Sequence, residues 1–260
     1  MTGAELTDRV ALVTGGGRGI GRAISLALGA AGATVAVNYR RDEEAANKTV
    51  AEIEGAGGRA RAYRASVDSW DDDVAMIEAA TAQLGPVDIL VNNGGVASRG
   101  HSVADTDPAE LERVVRTHAL GPHFLCQLVL PGMRTRPRGD IVMISSVATT
   151  LMAGWGAPYN MGKAALEALA LTLAKEERAH GIRVNIVAPG LVVTEMGDRL
   201  AKATMGVEKA SDLDAGAPFG RVCRPEDVSR VVMFLVSDDG FYVTGQRIAV
   251  DGGGAPGRVG

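Results

Sequence analysis

Residues 10–21 read VALVTGGGRGIG, and this stretch decides the fold class. Its first four residues form a short apolar run, typical of a strand that is buried on both faces of a sheet. Glycines follow, and small and apolar residues then recur at helical spacing as far as Ala30. A strand, a glycine turn and a helix in this order can bind phosphate, because the glycines let the backbone approach and the start of the helix attracts negative charge.

The glycine turn supplies the first candidate binding residues. Gly15, Gly19 and Gly21 have the spacing Gly-x-x-x-Gly-x-Gly, which differs from the Gly-x-Gly-x-x-Gly fingerprint of many dinucleotide-binding proteins. A plain glycine turn is the alternative interpretation. The residues that we expect to bind a pyrophosphate are Gly15, Gly17, Arg18, Gly19, Ile20 and Gly21.

Strands and helices alternate along the whole chain, which predicts a doubly wound α/β fold with a parallel sheet and helices on both faces. Pro122 interrupts one long predicted helix and should kink it just after His118. Residues 190–222 predict a mobile flap, and the tail from Gly252 is expected to be poorly ordered. The predicted strands are 10–13, 34–38, 60–65, 87–91, 141–144, 183–188 and 246–250, and the predicted helices include 42–54, 70–84, 108–134 and 225–236.

Length and composition limit the possible classes of protein. A chain of 260 residues, 46% of them hydrophobic, fits one large domain that spans residues 1–260. The net charge of -4 and the lack of a basic run argue against nucleic acid as a partner. No apolar run is long enough for a membrane span, and residues 1–8 lack the features of a signal peptide, so we expect a cytoplasmic protein. Cys126 and Cys223 are expected to be reduced thiols.

Arg40 and Arg41 bear on the choice of dinucleotide. They follow the second predicted strand, where the adenosine ribose would lie. An acidic side chain there would bind the 2′-hydroxyl of NAD, whereas planar guanidinium groups suit the 2′-phosphate of NADP. We therefore predict NADP, with Arg18 also within reach of the phosphate. The alternative is a solvated arginine pair that faces Asp42 and Glu43.

Ser146, Tyr159 and Lys163 are the candidate catalytic residues. Ser146 stands near the carboxyl end of a predicted strand, where crevices form in open α/β sheets. Tyr159 and Lys163 are one turn apart on the same face of the next helix. A free tyrosine has a pKa of about 10, and a nearby ammonium group should lower it, so that the phenol can act as acid or base. On its own, a Tyr-x-x-x-Lys spacing is common by chance.

Together these motifs resemble the short-chain dehydrogenase/reductase superfamily, and especially its 3-oxoacyl-[acyl-carrier-protein] reductase type. The resemblance rests on the glycine turn, Asn92-Asn93-Gly94-Gly95, Ser146, Tyr159 with Lys163, and Pro189-Gly190 with Thr194. It implies a seven-stranded parallel sheet of the Rossmann type, usually in a homotetramer. It also implies that Ser146 binds the substrate carbonyl, that Tyr159 protonates it, and that Lys163 lowers the pKa of the tyrosine and holds the nicotinamide ribose. The other cofactor-binding positions that it implies are Ser66, Val67, Asn93, Val192 and Thr194.

Some positions depart from the family pattern. His118 stands where the family has a catalytic asparagine, and we favour a proton relay that works through the main-chain carbonyl of His118. A structural histidine is the alternative. Ser66 replaces the usual adenine-binding aspartate. Carrier-protein reductases dock their partner on basic residues, and Arg136 and Arg138 lie near one such position, so an acyl carrier protein is a candidate partner that nothing else in the sequence supports.

The expected reaction is hydride transfer from NADPH to a ketone, either a 3-oxoacyl thioester or a related small molecule, while Tyr159 protonates the oxygen. One alternative is an NAD(P)-linked alcohol, sugar or steroid dehydrogenase, and another is a cofactor-binding protein disabled by His118. No metal site is expected, because His118, His123 and Cys126 do not converge on one point across the proline. Trp155 could line the substrate pocket or merely pack against the crossover.

Overall fold

The structure, a computed structural model, describes residues 6–254. Sequence-based expectations for residues 1–5 and 255–260, at the amino terminus and in the glycine-rich tail, fall outside the described residues. Within the described range, seven strands form one parallel sheet in the order β3-β2-β1-β4-β5-β6-β7. The strands are β1 (Val10–Val13), β2 (Thr34–Tyr39), β3 (Arg59–Arg64), β4 (Ile89–Asn92), β5 (Gly139–Ile144), β6 (Ile182–Pro189) and β7 (Arg247–Val250).

Helices cover both faces of the sheet. Alternate residues of β1 point to opposite faces, so Leu12 joins one core cluster while Ala11 and Val13 join the other, and each cluster also contains residues of the helices on its face. This arrangement confirms the doubly wound fold. The helices are α1 (Gly19–Ala30), α2 (Glu43–Gly55), α3 (Trp70–Leu84), α4 (Pro108–Val115), α5 (Gly121–Met133), α6 (Ala148–Leu151), α7 (Ala157–Glu176), α8 (Glu195–Met205) and α9 (Pro225–Val236).

The interruption predicted at Pro122 is one π-helical turn, Arg116–Leu120, between α4 and α5. The amide of Gly121 donates to the carbonyl of Arg116, five residues earlier. Pro122 has no amide hydrogen, so it cannot donate to the carbonyl of His118 four residues before it. The chain thus continues as a helix, and the main-chain carbonyl at His118 lacks its usual α-helical donor.

The predicted flap at residues 190–222 contains a helix that the sequence pattern did not reveal. Helix α8 is capped by Thr194, whose hydroxyl oxygen accepts the amide of Gly197 at 3.0 Å. A small apolar cluster of Ala201, Ala210 and Val222 buries its inner face. The mobility of this segment stays a prediction.

Asp73 is a buried carboxyl group in the first turn of α3. Neither of its oxygen atoms has a hydrogen-bond partner among the described residues. Burial, with smaller contributions from the charges of Asp72 and Asp68, raises its pKa from 3.8 to about 7. The folded state therefore binds this proton more tightly than the unfolded chain does, and the stability falls as the pH rises from 4 to 7.

We predict that Asp73→Asn removes this loss of stability. The gain in unfolding free energy over the parent protein should be about 1–3 kcal/mol larger at pH 8 than at pH 5, because only the parent carries a buried charge at the higher pH. Urea unfolding at both pH values measures the difference, and Asp71→Asn, at an exposed position of the same turn, is the control. An equal effect at both pH values would show that Asp73 does not titrate in this range.

Candidate active site

The candidate site lies at the carboxyl ends of the three central strands. The sheet order places β1 beside β4 and β4 beside β5, with Val13 paired to Val91 and Asn92 paired to Met143. The glycine turn, Asn93 and Ser146 follow these three strands, so they meet at one edge of the sheet. The order of the strands reverses between β1 and β4, and a crevice for ligands forms at such a point.

The glycine turn leaves a free helix start. A Cβ atom at Gly21 would lie 2.2 Å from the carbonyl oxygen of Gly15, so no side chain fits there. Gly15 and Gly19 have φ angles of 60° and 50°, which favour glycine. Helix α1 begins without a side-chain cap and without an acidic residue in its first turn. Its free amides and positive dipole end suit a phosphate group.

Neighbouring polar side chains hold the glycine turn in place. The side chain of Asn93 donates to the carbonyl of Thr14 at 2.8 Å, and the Thr14 hydroxyl oxygen accepts the amide of Asn93 at 2.9 Å. The buried side chain of Asn38 accepts the amide of Gly15 at 3.2 Å. Sequence reasoning missed Asn38, although a polar residue in a buried strand was the signal that could have found it. These contacts make Asn93 a support of the turn.

The arginines predicted to select NADP are free. Arg40 and Arg41 are exposed, and neither forms an ion pair or hydrogen bond within residues 6–254. Asp42 instead lies 3.3 Å from Arg18, whose guanidinium is also 3.3 Å from Glu195. Both arginines are therefore solvated side chains, as the alternative interpretation also expected, and neither pairs with Asp42 or Glu43 in the described part of the chain.

The remaining candidate cofactor residues lie in two places. Thr194 approaches the glycine turn, with its methyl carbon 3.1 Å from where a Cβ of Gly19 would be, and its hydroxyl donates to the carbonyl of Val192 at 3.3 Å. Ser66 instead donates to Asp68 at 2.5 Å within the turn that follows β3, next to Val67. The structure thus brings Thr194 and Val192 to the glycine turn, while the side chain of Ser66 is engaged locally.

Ser146, Tyr159 and Lys163 come together in the crevice. An interaction with the side chain of Ser146 lowers the pKa of Tyr159, and the Ser146 hydroxyl oxygen accepts the amide of Ala148 at 3.1 Å. The ammonium nitrogen of Lys163 lies 5.8 Å from the centre of the Tyr159 ring and donates to the carbonyl of Ile144 at 2.6 Å. A proton donor, a hydroxyl partner and a cation therefore share one site.

The electrostatics of the tyrosine differ from the sequence-based expectation. Burial raises the pKa of Tyr159, and only the hydrogen bond with Ser146 lowers it. Burial also lowers the pKa of Lys163 to about 8, against the opposing charge of Glu167. The lowering that was expected from Lys163 does not decide the direction of the shift, because burial of the phenol outweighs it. At neutral pH Tyr159 is therefore protonated and ready to donate.

His118 is a neutral, buried side chain in the π turn. Burial, followed by the charge of Lys163, lowers its pKa to about 3. Its Nε2 atom lies 2.7 Å from the carbonyl oxygen and 3.3 Å from the amide nitrogen of Val96, while Nδ1 has no partner among the described residues. In the neutral ring Nε2 donates to the nearer carbonyl. The ring also packs edge-on against Tyr159 at 5.1 Å, so the side chain acts as a structural support.

Other predicted features can be placed as well. Both cysteines are free, Cys126 buried and Cys223 partly so, and burial raises their pKa values to about 12 and about 11. In the part of the chain that the structure describes, no group of three or more His, Cys, Asp or Glu side chains is arranged to hold a metal ion. Among residues 6–254, no helix has the length and apolar content needed to cross a membrane.

The fold and the site together define a class, the oxidoreductases that use a dinucleotide. The profile of the Enoyl-(Acyl carrier protein) reductase family matches residues 15–254. The chain belongs to the short-chain dehydrogenase/reductase family, as its motifs predicted, and is an enzyme that acts on carbonyl compounds.

Known proteins similar to this chain have varied substrates. A 3-oxoacyl-[acyl-carrier-protein] reductase of Staphylococcus aureus is 37% identical over 94% of this chain and 96% of its own. The angucycline C-6 ketoreductase LanV with bound NADP superposes with a TM-score of 0.86 and 35% identity, over 96% of each chain. A 7α-hydroxysteroid dehydrogenase with NADH and 7-oxo glycochenodeoxycholic acid has a TM-score of 0.89 and 32% identity, over 97% of this chain and 96% of its own.

We predict that His118→Asn keeps most of the activity, because a carboxamide can still bond to Val96. His118→Leu should lower kcat by about tenfold, because it leaves the Val96 carbonyl unpaired and lets the segment shift by a fraction of an ångström. The measurement is kcat and KM for a carbonyl substrate between pH 5 and 8, with the exposed His123→Asn as the control. An acid limb near pH 6 that disappears in His118→Asn would show instead that the imidazole titrates during turnover.

Proposed function

We propose that the protein is an NADPH-dependent reductase that converts a ketone into a secondary alcohol. The arrangement of Ser146, Tyr159 and Lys163 carries this proposal: the ammonium nitrogen of Lys163 lies 5.8 Å from the centre of the Tyr159 ring, and the glycine turn lies at the same edge of the sheet. When bound, NADPH supplies the hydride that adds to the carbonyl carbon. Ser146 orients the carbonyl oxygen, and Tyr159 donates its proton to that oxygen as negative charge develops there.

The charge of Lys163 supports this proton transfer. With a pKa of about 8, its amine is mostly protonated at neutral pH. An ammonium group near the ring stabilises the phenolate that remains after the proton has left. The raised pKa of Tyr159 keeps the phenol protonated until negative charge develops on the substrate oxygen.

The residues of the crevice fit NADPH. The uncapped start of α1 and the glycine turn can bind the pyrophosphate, and Val192 with Thr194 can bind the nicotinamide. Arg40 and Arg41 offer unpaired guanidinium groups for the 2′-phosphate. The similar structure of LanV contains NADP, whereas the hydroxysteroid dehydrogenase contains NADH. The two free arginines favour NADPH for this chain.

The rim of the crevice favours an apolar ketone as substrate. The segment between Ser146 and Tyr159 exposes Met152 and Trp155, whose exposed fractions are 52% and 69%. Helix α8, which starts against the glycine turn, exposes Met196 and Leu200 one helical turn apart. Exposed apolar side chains beside a site commonly mark a binding surface. This observation supports the interpretation that Trp155 lines the substrate pocket, and it favours a polycyclic substrate of the kind named for LanV and the hydroxysteroid dehydrogenase.

A carrier protein has less support as a partner. The guanidinium of Arg136 is bonded to Asp88 at 2.6 Å, and that of Arg138 to Asp140 at 3.1 Å and to Asp238 at 2.7 Å. These arginines therefore stabilise the amino ends of the central strands and present little unpaired charge to an acidic partner. We favour a free ketone over an acyl chain on a carrier protein.

We also propose that the protein is a homotetramer, as its family resemblance implies. Phe241 and Tyr242, just before the edge strand β7, have exposed fractions of 66% and 97%, and Phe234 on α9 is partly exposed. A second copy that covers these aromatic side chains would remove them from water. The cytoplasmic location expected from the sequence stays a prediction.

We predict that Tyr159→Phe lowers kcat by about 100-fold or more, because the ring keeps its packing but loses the proton. The assay follows NADPH oxidation with a panel of polycyclic and smaller ketones, 3-oxoacyl thioesters of coenzyme A, and a 3-oxoacyl carrier protein. NADPH binding, measured by fluorescence, should change little, and the exposed Tyr242→Phe is the control. If the parent protein binds NADPH but reduces nothing in the panel, the protein is a cofactor-binding family member without this activity.

We predict that replacing both arginines, in Arg40→Ala with Arg41→Ala, weakens binding of NADPH by about tenfold or more. The dissociation constant for NADH should stay nearly constant, since NADH has no 2′-phosphate. Fluorescence titration with both nucleotides measures the ratio, and Arg61→Ala, at an exposed position on β3, is the control. Equal losses for the two nucleotides would mean that these arginines do not bind the 2′-phosphate.

A further inference from the structure

Glu167 lies one helical turn after Lys163 on α7, and its carboxylate joins three elements around the site. One of its oxygen atoms, Oε1, is 2.6 Å from the hydroxyl of Ser145, 2.8 Å from the hydroxyl of Thr149 and 2.9 Å from Nε of Arg247. These partners come from the end of β5, from α6 and from β7. The carboxylate therefore ties the segment that contains the catalytic serine to two neighbouring elements.

Arg247 makes a second set of contacts with the same segment. Its Nη2 atom donates to the main-chain carbonyl of Ser146 at 3.2 Å and to the hydroxyl of Thr149 at 2.9 Å. The side chains of Glu167 and Arg247 are only 15% and 27% exposed. Partial burial with several hydrogen bonds distinguishes this ion pair from exposed surface pairs, which contribute little.

Glu167 also acts on Lys163 through its charge. Burial lowers the pKa of Lys163, and the carboxylate of Glu167 opposes that effect. The other groups that face the amine are the carbonyl of Ile144, the ring of Tyr159 and the neutral ring of His118. Arg247 partly neutralises Glu167, so it controls how much negative charge the lysine experiences.

We propose that Glu167 and Arg247 form a positioning pair, which fixes the backbone at Ser146 and sets the electrostatic field at Lys163. This inference rests on the proposed function, because it assumes that Ser146 and Lys163 serve the reaction. Neither member belongs to a motif that the sequence analysis identified, and they are 80 residues apart in the chain.

The pair has two effects that different substitutions separate. Glu167→Gln keeps an oxygen acceptor for the three donors but removes the charge, so the pKa of Lys163 should fall. Arg247→Met leaves the carboxylate without its cation, so the pKa of Lys163 should rise. A purely structural role would not shift the pKa of Lys163 in opposite directions in these two variants.

The first test does not depend on activity. The titration of Lys163 is followed by NMR of the lysine side chains in the cofactor-free protein, and the signal is assigned by its absence in Lys163→Met. We expect the midpoint to move down in Glu167→Gln and up in Arg247→Met, each by about half a unit or more. Glu176→Gln, an exposed position on the same helix, should leave the midpoint unchanged. No shift, or two shifts in the same direction, would overturn the electrostatic part of the proposal.

The second test measures the positioning of the serine. Glu167→Leu removes the acceptor of three hydrogen bonds, and we expect kcat for ketone reduction to fall by about tenfold while Glu167→Gln retains most of it at pH 7. The alkaline limb of kcat/KM should move with the titration of Lys163 in Glu167→Gln and Arg247→Met. Equal kcat in Glu167→Leu and the parent would overturn the positioning role.

These outcomes distinguish a failure of the proposed positioning pair from a failure of the proposed function. If the parent protein reduces no carbonyl compound, the proposed function fails, and the NMR titration still decides whether Glu167 and Arg247 control the charge of Lys163. If Glu167→Leu does not fold, two tests remain: Glu167→Gln keeps an acceptor for the three donors, and Arg247→Met keeps the hydrogen bonds of Ser145 and Thr149 to Glu167.

Discussion

The amino group of Lys163 is buried in the crevice at the end of β5, and the rest of the site depends on this burial. A buried ammonium group is costly unless it has partners or loses its charge. Here it donates to the carbonyl of Ile144 at 2.6 Å and lies one turn from Glu167. Its pKa of about 8 shows that this compensation is only partial. The amine is therefore mostly protonated at neutral pH. Because its pKa is close to neutral pH, small changes in its surroundings alter the protonated fraction.

Much of the fold could be predicted from the sequence, because the central strands β1, β4 and β5 are short, largely apolar runs that are buried throughout. The predicted strand at residues 10–13 coincides with β1. Helix α8 was missed, since the residues that bury its inner face, Gly197 and Ala201, are too small to mark an apolar stripe. The position of the interruption at Pro122 was predicted, but its form, a π-helical turn, was not. Gly121 lies against the carbonyl of Val67, a contact between distant segments that the local pattern does not contain.

The site was predictable to the extent that it depends on strand ends and helical spacing. Those rules bring Ser146, Tyr159 and Lys163 together, as the structure does. The direction of the pKa shift at Tyr159 was not predictable, because spacing reports a neighbouring charge but not the loss of water around both groups. The pair of Glu167 and Arg247 could not be found either. Its members meet only because β7 lies at the edge of the sheet beside β6, next to the segment that follows β5.

His118 shows how a departure from the family pattern is accommodated. An asparagine there could donate to the carbonyl of Val96 and accept its amide through two different atoms, whereas the imidazole presents Nε2 to both. The exchange loses about 1 kcal/mol of hydrogen bonding and leaves Nδ1 unpartnered. Gly95 makes room for the larger ring, since a Cβ at that position would lie 2.6 Å from the ring carbon Cε1. The ring also packs edge-on against Tyr159, so the orientation of that tyrosine depends on an aromatic contact that an amide would not provide.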